Sequence, residues 1–352
     1  VVVDCWSKKT KTKINPNRLK VINLKLQFIM KAIFTTKYGA PDVLQQKETE
    51  IPVPKQNEVR IKIHATTVTV ADVRVRSFDV PRSFWIPARL SLGIFKPRKP
   101  ILGVELSGEI DEVGNAVTKF KKGDLVFAST FPEFGGYAEY KCISENGSLA
   151  LKPKNISLEE SAAIPIGAYT ALNFLRKAEL KAEQKILIYG ASGSVGLYAV
   201  QIAKHFGANI TAVCSAKNIE LVKSMGADKV LDYTAPDFNS QLEIYDVIFV
   251  AVDKFPFSVC KKILTKTGTY LNISLPLKSL NMIWTSLTTR QKIYSGQNKP
   301  VTPADLNYLK ELVEAGAMKV VVDKVYSFDQ IVEAHHYVDK GHKKGNVLVR
   351  VN

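Results

Sequence analysis

Residues 185–207, KILIYGASGSVGLYAVQIAKHFG, constrain this chain more than any other stretch. An apolar run from Ile186 to Tyr189 enters a glycine-rich turn, and Val195, Ala199, Ile202, Ala203 and Phe206 follow at helical spacing. The pattern predicts a strand, a tight turn and a helix. In the turn, Gly193 and Gly196 hold the second and third positions of a dinucleotide fingerprint, Ala191 stands at the first, and Gly190 precedes it. Glycine at 193 lets the backbone approach a pyrophosphate, glycine at 196 lets the helix pack on the strand, and the helix N-terminus favours an anion. Gly190, Ala191, Ser192, Gly193, Ser194, Val195 and Gly196 are therefore the expected cofactor cradle. A lone glycine pattern also fits a bare strand-to-helix turn. Here a strand expected at 209–214, a helix at 218–225 and a strand at 229–233 complete a βαβαβ order, which predicts a doubly wound Rossmann domain.

The end of the second strand bears on which dinucleotide is bound. An acidic residue about 20 positions after the first glycine would grip a ribose 2′-hydroxyl. Residues 214–218 read Cys214-Ser215-Ala216-Lys217-Asn218, without a carboxylate. Ser215, Lys217 and Asn218 offer donors and one positive charge to a 2′-phosphate, which favours NADPH over NADH. The bland reading of Lys217 is a solvated lysine at a loop.

At 352 residues the chain is long enough for two domains. Its net charge is +16, but the first 29 residues hold six lysines and one arginine against one aspartate, a local +6 that leaves +10 for the rest. Lysines spread this way mark solubility or a polyanionic cofactor more often than RNA or a membrane. Four cysteines at 5, 142, 214 and 260 form no CxxC pair, which suggests a reducing compartment and a cytoplasmic location. Residues 1–29 show neither a signal-peptide core nor a periodic apolar face; they are basic and acid-poor, as an organellar transit peptide is, but hold one arginine and one serine, and Met30-Lys31-Ala32-Ile33 reads as a natural start, so the extension is expected to be disordered upstream sequence. No run is long enough to span a membrane.

From Met30 the chain reads as short strands. Lys31 to Thr35 and Glu58 to His64 alternate apolar with polar residues, and Gly103, Gly108, Gly114 and Gly123 punctuate two further strands as bulges and corners do in a small barrel. Gly135-Gly136 leads into a strand at 137–142. The stretch SLEESAAIPIGAYTALNFLRKA is helix-like, with Ser157 and Glu160 as a capping box, so a boundary is expected near 152–156.

YGAPDVL at 38–44, GVELSGEIDEVGNAVTKFKKGD at 103–124, GGYAEY at 135–140, GAYTAL at 167–172 and GASGSVG at 190–196 together resemble the medium-chain dehydrogenase/reductases, in their zinc-independent quinone oxidoreductase and enoyl-reductase-like branch. The resemblance runs from Met30 to the C-terminus. It implies an α/β architecture in which a GroES-like β-barrel domain, residues 30–155 and 296–352, surrounds a Rossmann NADP-binding domain, residues 156–295. It implies further that the cofactor lies between them, that Thr170 sits near the nicotinamide and Tyr233 near the adenosine end, that Asn346 replaces a cofactor-contacting lysine, and that the protein is a homodimer.

The same resemblance frames the metal question. Thr69 falls near the position where zinc-dependent members carry a ligating Cys, Val104 stands where they carry His beside Glu105, and region 81–100 has no cysteine for a structural zinc. Metal-free chemistry is expected. Without a Lewis acid, reversible alcohol oxidation loses its support, whereas quinones and α,β-unsaturated carbonyls need chiefly a well-placed hydride donor and some oxyanion stabilisation. By resemblance the catalytic candidates are Thr69, Asp72 and Arg76, with a structural role for Asp72 and for Arg76 as open alternatives. His335 and His336 read as surface or packing residues of a helix over 328–338. Two other classes stay open: an alcohol or ketone dehydrogenase of the same fold, and a non-catalytic nucleic-acid binder. The second is disfavoured because no concentrated basic cluster or aromatic-rich RNA motif follows Met30.

Overall fold

The computed structural model describes residues 28–80, 85–273, 280–296 and 299–351. The expectation for residues 1–29 thus falls almost wholly outside the described residues. Strand β1 (Ile29–Thr35) already begins one residue ahead of Met30, with Ile29 paired to Glu50 of β2 (Leu44–Glu50).

The barrel is built on β3 (Glu58–Thr67), whose Val59, Ile61 and Ile63 are fully buried in alternation with polar neighbours. It pairs antiparallel with both β4 (Glu105–Val113) and β6 (Tyr140–Ser144), while β5 (Leu125–Ser129) joins β4 to β7 (Leu149–Leu151). Glycine at 108 is dictated by the close approach of β3 to β4, since a Cβ there would lie 2.1 Å from the Lys62 carbonyl oxygen. The strand expected from 137 starts only at Tyr140, because Tyr137 is drawn inward and is fully buried.

Six parallel strands form the second sheet: β8 (Lys185–Tyr189), β9 (Asn209–Cys214), β10 (Lys229–Asp232), β11 (Tyr245–Val250), β12 (Leu264–Asn272) and β13 (Lys292–Ser295). Their spatial order is β10-β9-β8-β11-β12-β13, so the direction of winding reverses between β8 and β11. Ligands of doubly wound sheets bind outside the carboxyl ends of the strands at such a reversal, and the glycine turn leaves β8 at that point. Along β8, Ile186 and Ile188 enter one apolar cluster while Leu187 and Tyr189 enter the other, as expected of a strand covered on both faces.

The helix-like stretch after Ser157 is two helices, Leu158–Ser161 and Gly167–Lys177. Pro165 separates them, because proline has no N–H to donate and its ring clashes with the preceding turn. The Ser157–Glu160 capping box forms as its spacing predicts. Helix Pro303–Glu314 buries Leu306, Leu309 and Leu312 in the same cluster as Ile186 and Ile188, and the chain rejoins the barrel sheet at β14 (Val322–Ser327). The last strand, β15 (Asn346–Arg350), lies between β14 and β3.

Candidate active site in the cleft between the two sheets

Helix Ser194–His205 begins at Gly193, which is extended (φ −78°, ψ 171°) and supplies no side-chain cap. The first-turn N–H groups of a helix have no partner within the helix, so this end is a cradle for an anion. The glycines of the turn do different work. Gly190 takes a left-handed φ of +82°, and a Cβ on Gly196 would lie 2.2 Å from the Gly190 carbonyl oxygen, which fixes helix against strand. A Cβ on Gly193 would meet only the Gly190 oxygen, at 3.6 Å. Apart from its chain neighbours, no other protein atom lies within 4 Å of that Cβ. Gly167, which opens the helix carrying the buried Thr170, packs against Ser194, and its own Cβ would lie 2.5 Å from Ser194 Oγ.

The barrel's last strand closes on this turn. Gly345 N donates to Ser192 O at 3.0 Å and Gly345 bridges to Gly193. Asn346 is 5% exposed; its Oδ1 accepts from Ser194 Oγ at 2.5 Å and its Nδ2 donates to Val321 O and Tyr198 Oη. Its amide is thus spent on joining the two sheets.

After the end of β9, Ser215 is half-buried and Lys217 exposed. Asn218 is buried and donates from Nδ2 to Ser192 Oγ and Ser215 Oγ, while its Oδ1 has no partner and suits a ribose hydroxyl. Tyr233 is half-exposed beside Tyr189, which stacks on Phe255 with ring centroids 4.7 Å apart. The residue that the sequence reading missed here is Asp232. It ends β10 and is held ionised by hydrogen bonds from Thr234 and the Ala216 backbone.

On the barrel side, Thr69 is the N-cap of helix Val70–Ser77 and forms a capping box with Asp72. Thr69 Oγ1 donates to Asp72 Oδ2 at 2.6 Å, Gly103 N donates to Asp72 Oδ1 at 3.1 Å, and the Tyr137 hydroxyl also bonds the carboxylate. Burial still pushes the Asp72 carboxyl up to about 6. Arg76 is 1% exposed and forms an ion pair with Asp339, far along the chain, through Nη2 at 2.9 Å. Its Nε and Nη1 have no hydrogen-bond partner. Asp72 is thus bonded within its own helix cap and to Gly103, and Arg76 across to Asp339; of the three candidates only Thr69 is less than fully buried. The packing reading of His335 holds, but as a core residue: Nε2 lies 3.1 Å from Tyr137 Oη, and burial drives its pKa down to about 3. Because Tyr137 gives its one proton to Asp72, the neutral His335 must donate from Nε2. His336 is exposed beside Asp42.

In the sequence Glu105 is only the companion of a missing histidine. It is 1% exposed, accepts from Thr67 Oγ1 at 2.5 Å and from Ile166 N at 2.7 Å, and so ties the barrel to the helix that carries Thr170. Burial raises its pKa to about 7. A carboxyl whose folded pKa lies above its unfolded value contributes stability that is complete below the unfolded pKa and is lost as pH rises through the folded one. Glu105→Gln preserves both contacts, with the amide oxygen facing Ile166 N and the amide nitrogen facing Thr67. The native protein should therefore lose about 3 kcal/mol between roughly pH 4.5 and 7 relative to this variant. Thermal melts across that range check it, and parallel curves for the two proteins would refute it.

Among the described residues no group of three or more His, Cys, Asp or Glu side chains could hold a metal ion. Residues 55–154 match the alcohol dehydrogenase GroES-like domain family and residues 225–349 the zinc-binding dehydrogenase family. A chloroplast envelope quinone oxidoreductase homolog from Arabidopsis thaliana is 32% identical over 339 residues, covering 91% of this chain and 98% of its own. An NADPH-dependent alkenal/one oxidoreductase, chloroplastic, from the same plant is 31% identical over 91% of this chain and 79% of its own. Among solved structures, the quinone oxidoreductase from Coxiella burnetii superposes with a TM-score of 0.80 at 26% identity, covering 92% of this chain and 100% of its own.

Proposed function

Since this chain belongs to the medium-chain dehydrogenase/reductase superfamily, in its quinone oxidoreductase and enoyl-reductase-like branch, we propose that it is an NADPH-dependent reductase of quinones or α,β-unsaturated carbonyls that works without zinc. The observation that carries the reading is the helix N-terminus at Gly193, which has no side-chain cap and is bridged to Gly345, the residue ahead of barrel strand β15. A bound reduced nicotinamide would supply the hydride. The chain's own residues bind and orient: the 190–196 turn takes the diphosphate, Thr170 flanks the nicotinamide end, and Ser215, Lys217, Asn218 and Tyr233 take the adenosine end. On the substrate side Thr69 is the least buried of the three candidates; its one hydroxyl proton is given to Asp72 in the capping box, so it serves a developing oxyanion only by exchanging that bond. The zinc-free part rests on Thr69 and Val104 standing at two ligand positions and on Glu105 spending both oxygens on protein donors.

NADPH oxidation followed against a quinone, an enone and a ketone panel, with and without chelator, tests the whole reading. Turnover of quinone or enone that survives chelation is the expected result. Activity confined to ketones, or lost in chelator and restored by zinc, would establish the zinc alcohol dehydrogenase alternative.

Lys217, which is exposed, is the positive charge that favours NADPH over NADH, set against the ionised Asp232 carboxylate that accepts from the Ala216 backbone in the same loop. Lys217→Ala should weaken NADPH binding by about one to two decades and leave NADH binding unchanged. An unaltered NADPH-to-NADH preference would disqualify this loop. We place the protein in a reducing, cytoplasmic setting, consistent with free Cys142, Cys214 and Cys260. No helix among the described residues is long and apolar enough to cross a membrane. We further propose a homodimer formed at the edge strand β13, next to which helix Leu280–Thr288 exposes Ile283, Trp284 and Leu287. Sedimentation velocity of the native protein against Trp284→Glu tests that interface.

A further inference from the structure

We propose that Lys343 supplies the cation that binds the anionic diphosphate of the dinucleotide over the Ser192–Gly193 turn. The inference rests on the nucleotide-binding reading above. Lys343 Nζ donates to the Gly345 carbonyl at 2.6 Å, and Gly345 is the residue that pairs with Gly193 and donates to Ser192 O. The ammonium is thereby held within one residue's reach of the turn. The loop that carries it is pinned. Lys344 N donates to Asp323 Oδ2, Asn346 N donates to Val321 O, and Gly345 has a φ of +69° with no room for a Cβ, which would lie 2.4 Å from Val321 O.

Two further observations point the same way. Asn346 has both amide hydrogens and its oxygen engaged by Tyr198, Val321 and Ser194, so it cannot turn to a ligand without parting the two sheets. Lys343 is half-buried and makes no ion pair among the described residues. A lysine withdrawn from water with two N–H groups still unassigned is poised for an anion. Burial lowers its pKa to about 8, which a bound diphosphate would reverse.

The groups that face Lys343 are Glu105 from β4, Asp323 from β14, itself held by Tyr337 and Lys344, and Tyr198 from helix Ser194–His205 by way of Asn346. Fluorescence titration with NADPH between pH 6.5 and 9.5, on native protein, Lys343→Met and Lys343→Arg, separates them. In the native protein Kd should weaken as pH rises above about 8, because the free lysine loses its proton there while the bound one keeps it. Lys343→Met should bind NADPH about 10- to 100-fold more weakly at pH 7 and lose that limb, whereas Lys343→Arg should bind well and stay flat to pH 9.5. Glu105 remains in all three proteins, so any limb near pH 7 subtracts out. A Met variant that binds like the native protein, or keeps the limb near pH 8, overturns the proposal. So does a loss of binding matched by a lower cofactor-free Tm in both variants, since that would make Lys343 only a clip for the Gly345 carbonyl. A native protein that binds neither NADPH nor NADH would overturn the nucleotide-binding reading itself, and is recognised before any variant is compared.

Discussion

Gly193→Val is expected to fold normally and to lose NADPH binding by at least about two orders of magnitude, or about 3 kcal/mol. The backbone at 193 is extended, and an added Cβ meets nothing nearer than the Gly190 oxygen at 3.6 Å, so the protein itself has room for the side chain. Valine is a somewhat poorer N-cap than glycine, a cost of about 1 kcal/mol or less. Its two methyl groups would occupy the space over the uncapped N–H groups, which is where the phosphate oxygens must come. Gly196→Val should behave in the opposite way. There a Cβ would lie 2.2 Å from the Gly190 carbonyl oxygen and 2.7 Å from the Ala191 Cα, both backbone, so helix and strand must separate at a cost upwards of about 3 kcal/mol. Measuring Tm and NADPH affinity on both variants distinguishes binding from packing. Normal affinity in Gly193→Val would remove the diphosphate from this turn.

The second large effect concerns Arg76. Asp339→Ala should destabilise the protein by about 3 to 5 kcal/mol, because it strands a guanidinium whose side chain is only 2% exposed and which cannot give up its proton. Asp339 itself is partly exposed, so its own removal from water contributes little. Arg76→Met, which removes the charge and keeps much of the volume, should cost less. The double variant should be more stable than Asp339→Ala alone. Denaturant titrations of the three variants close that cycle. Additive losses would mean that the pair is not coupled.

What could be read from the linear chain, and what could not, divides by the range of the interaction. The strand, glycine turn and helix at 185–207, the alternation along β3 and the Ser157–Glu160 cap are all set by residues within one or two turns of each other. Local periodicity and backbone sterics determine such features, so the nucleotide-binding sheet and its cradle were legible. Even the interruption at Pro165 follows from local chemistry, though an apolar pattern running through it masked the break. The character of the cleft was decided elsewhere. Arg76 meets Asp339 and Tyr137 meets His335 across more than 190 residues of chain, and Glu105 on β4 reaches Ile166 at the start of a helix 61 residues on. Nothing in the spacing of those residues announces their partners, because burial brings together whatever the topology folds inward. Lys343 is the sharpest instance. Nothing in GHKKGN marks it, and only the bridging of Gly345 to Gly193, with Asn346 bonded to Ser194, Tyr198 and Val321, half-buries that particular lysine and bonds its ammonium to the Gly345 carbonyl.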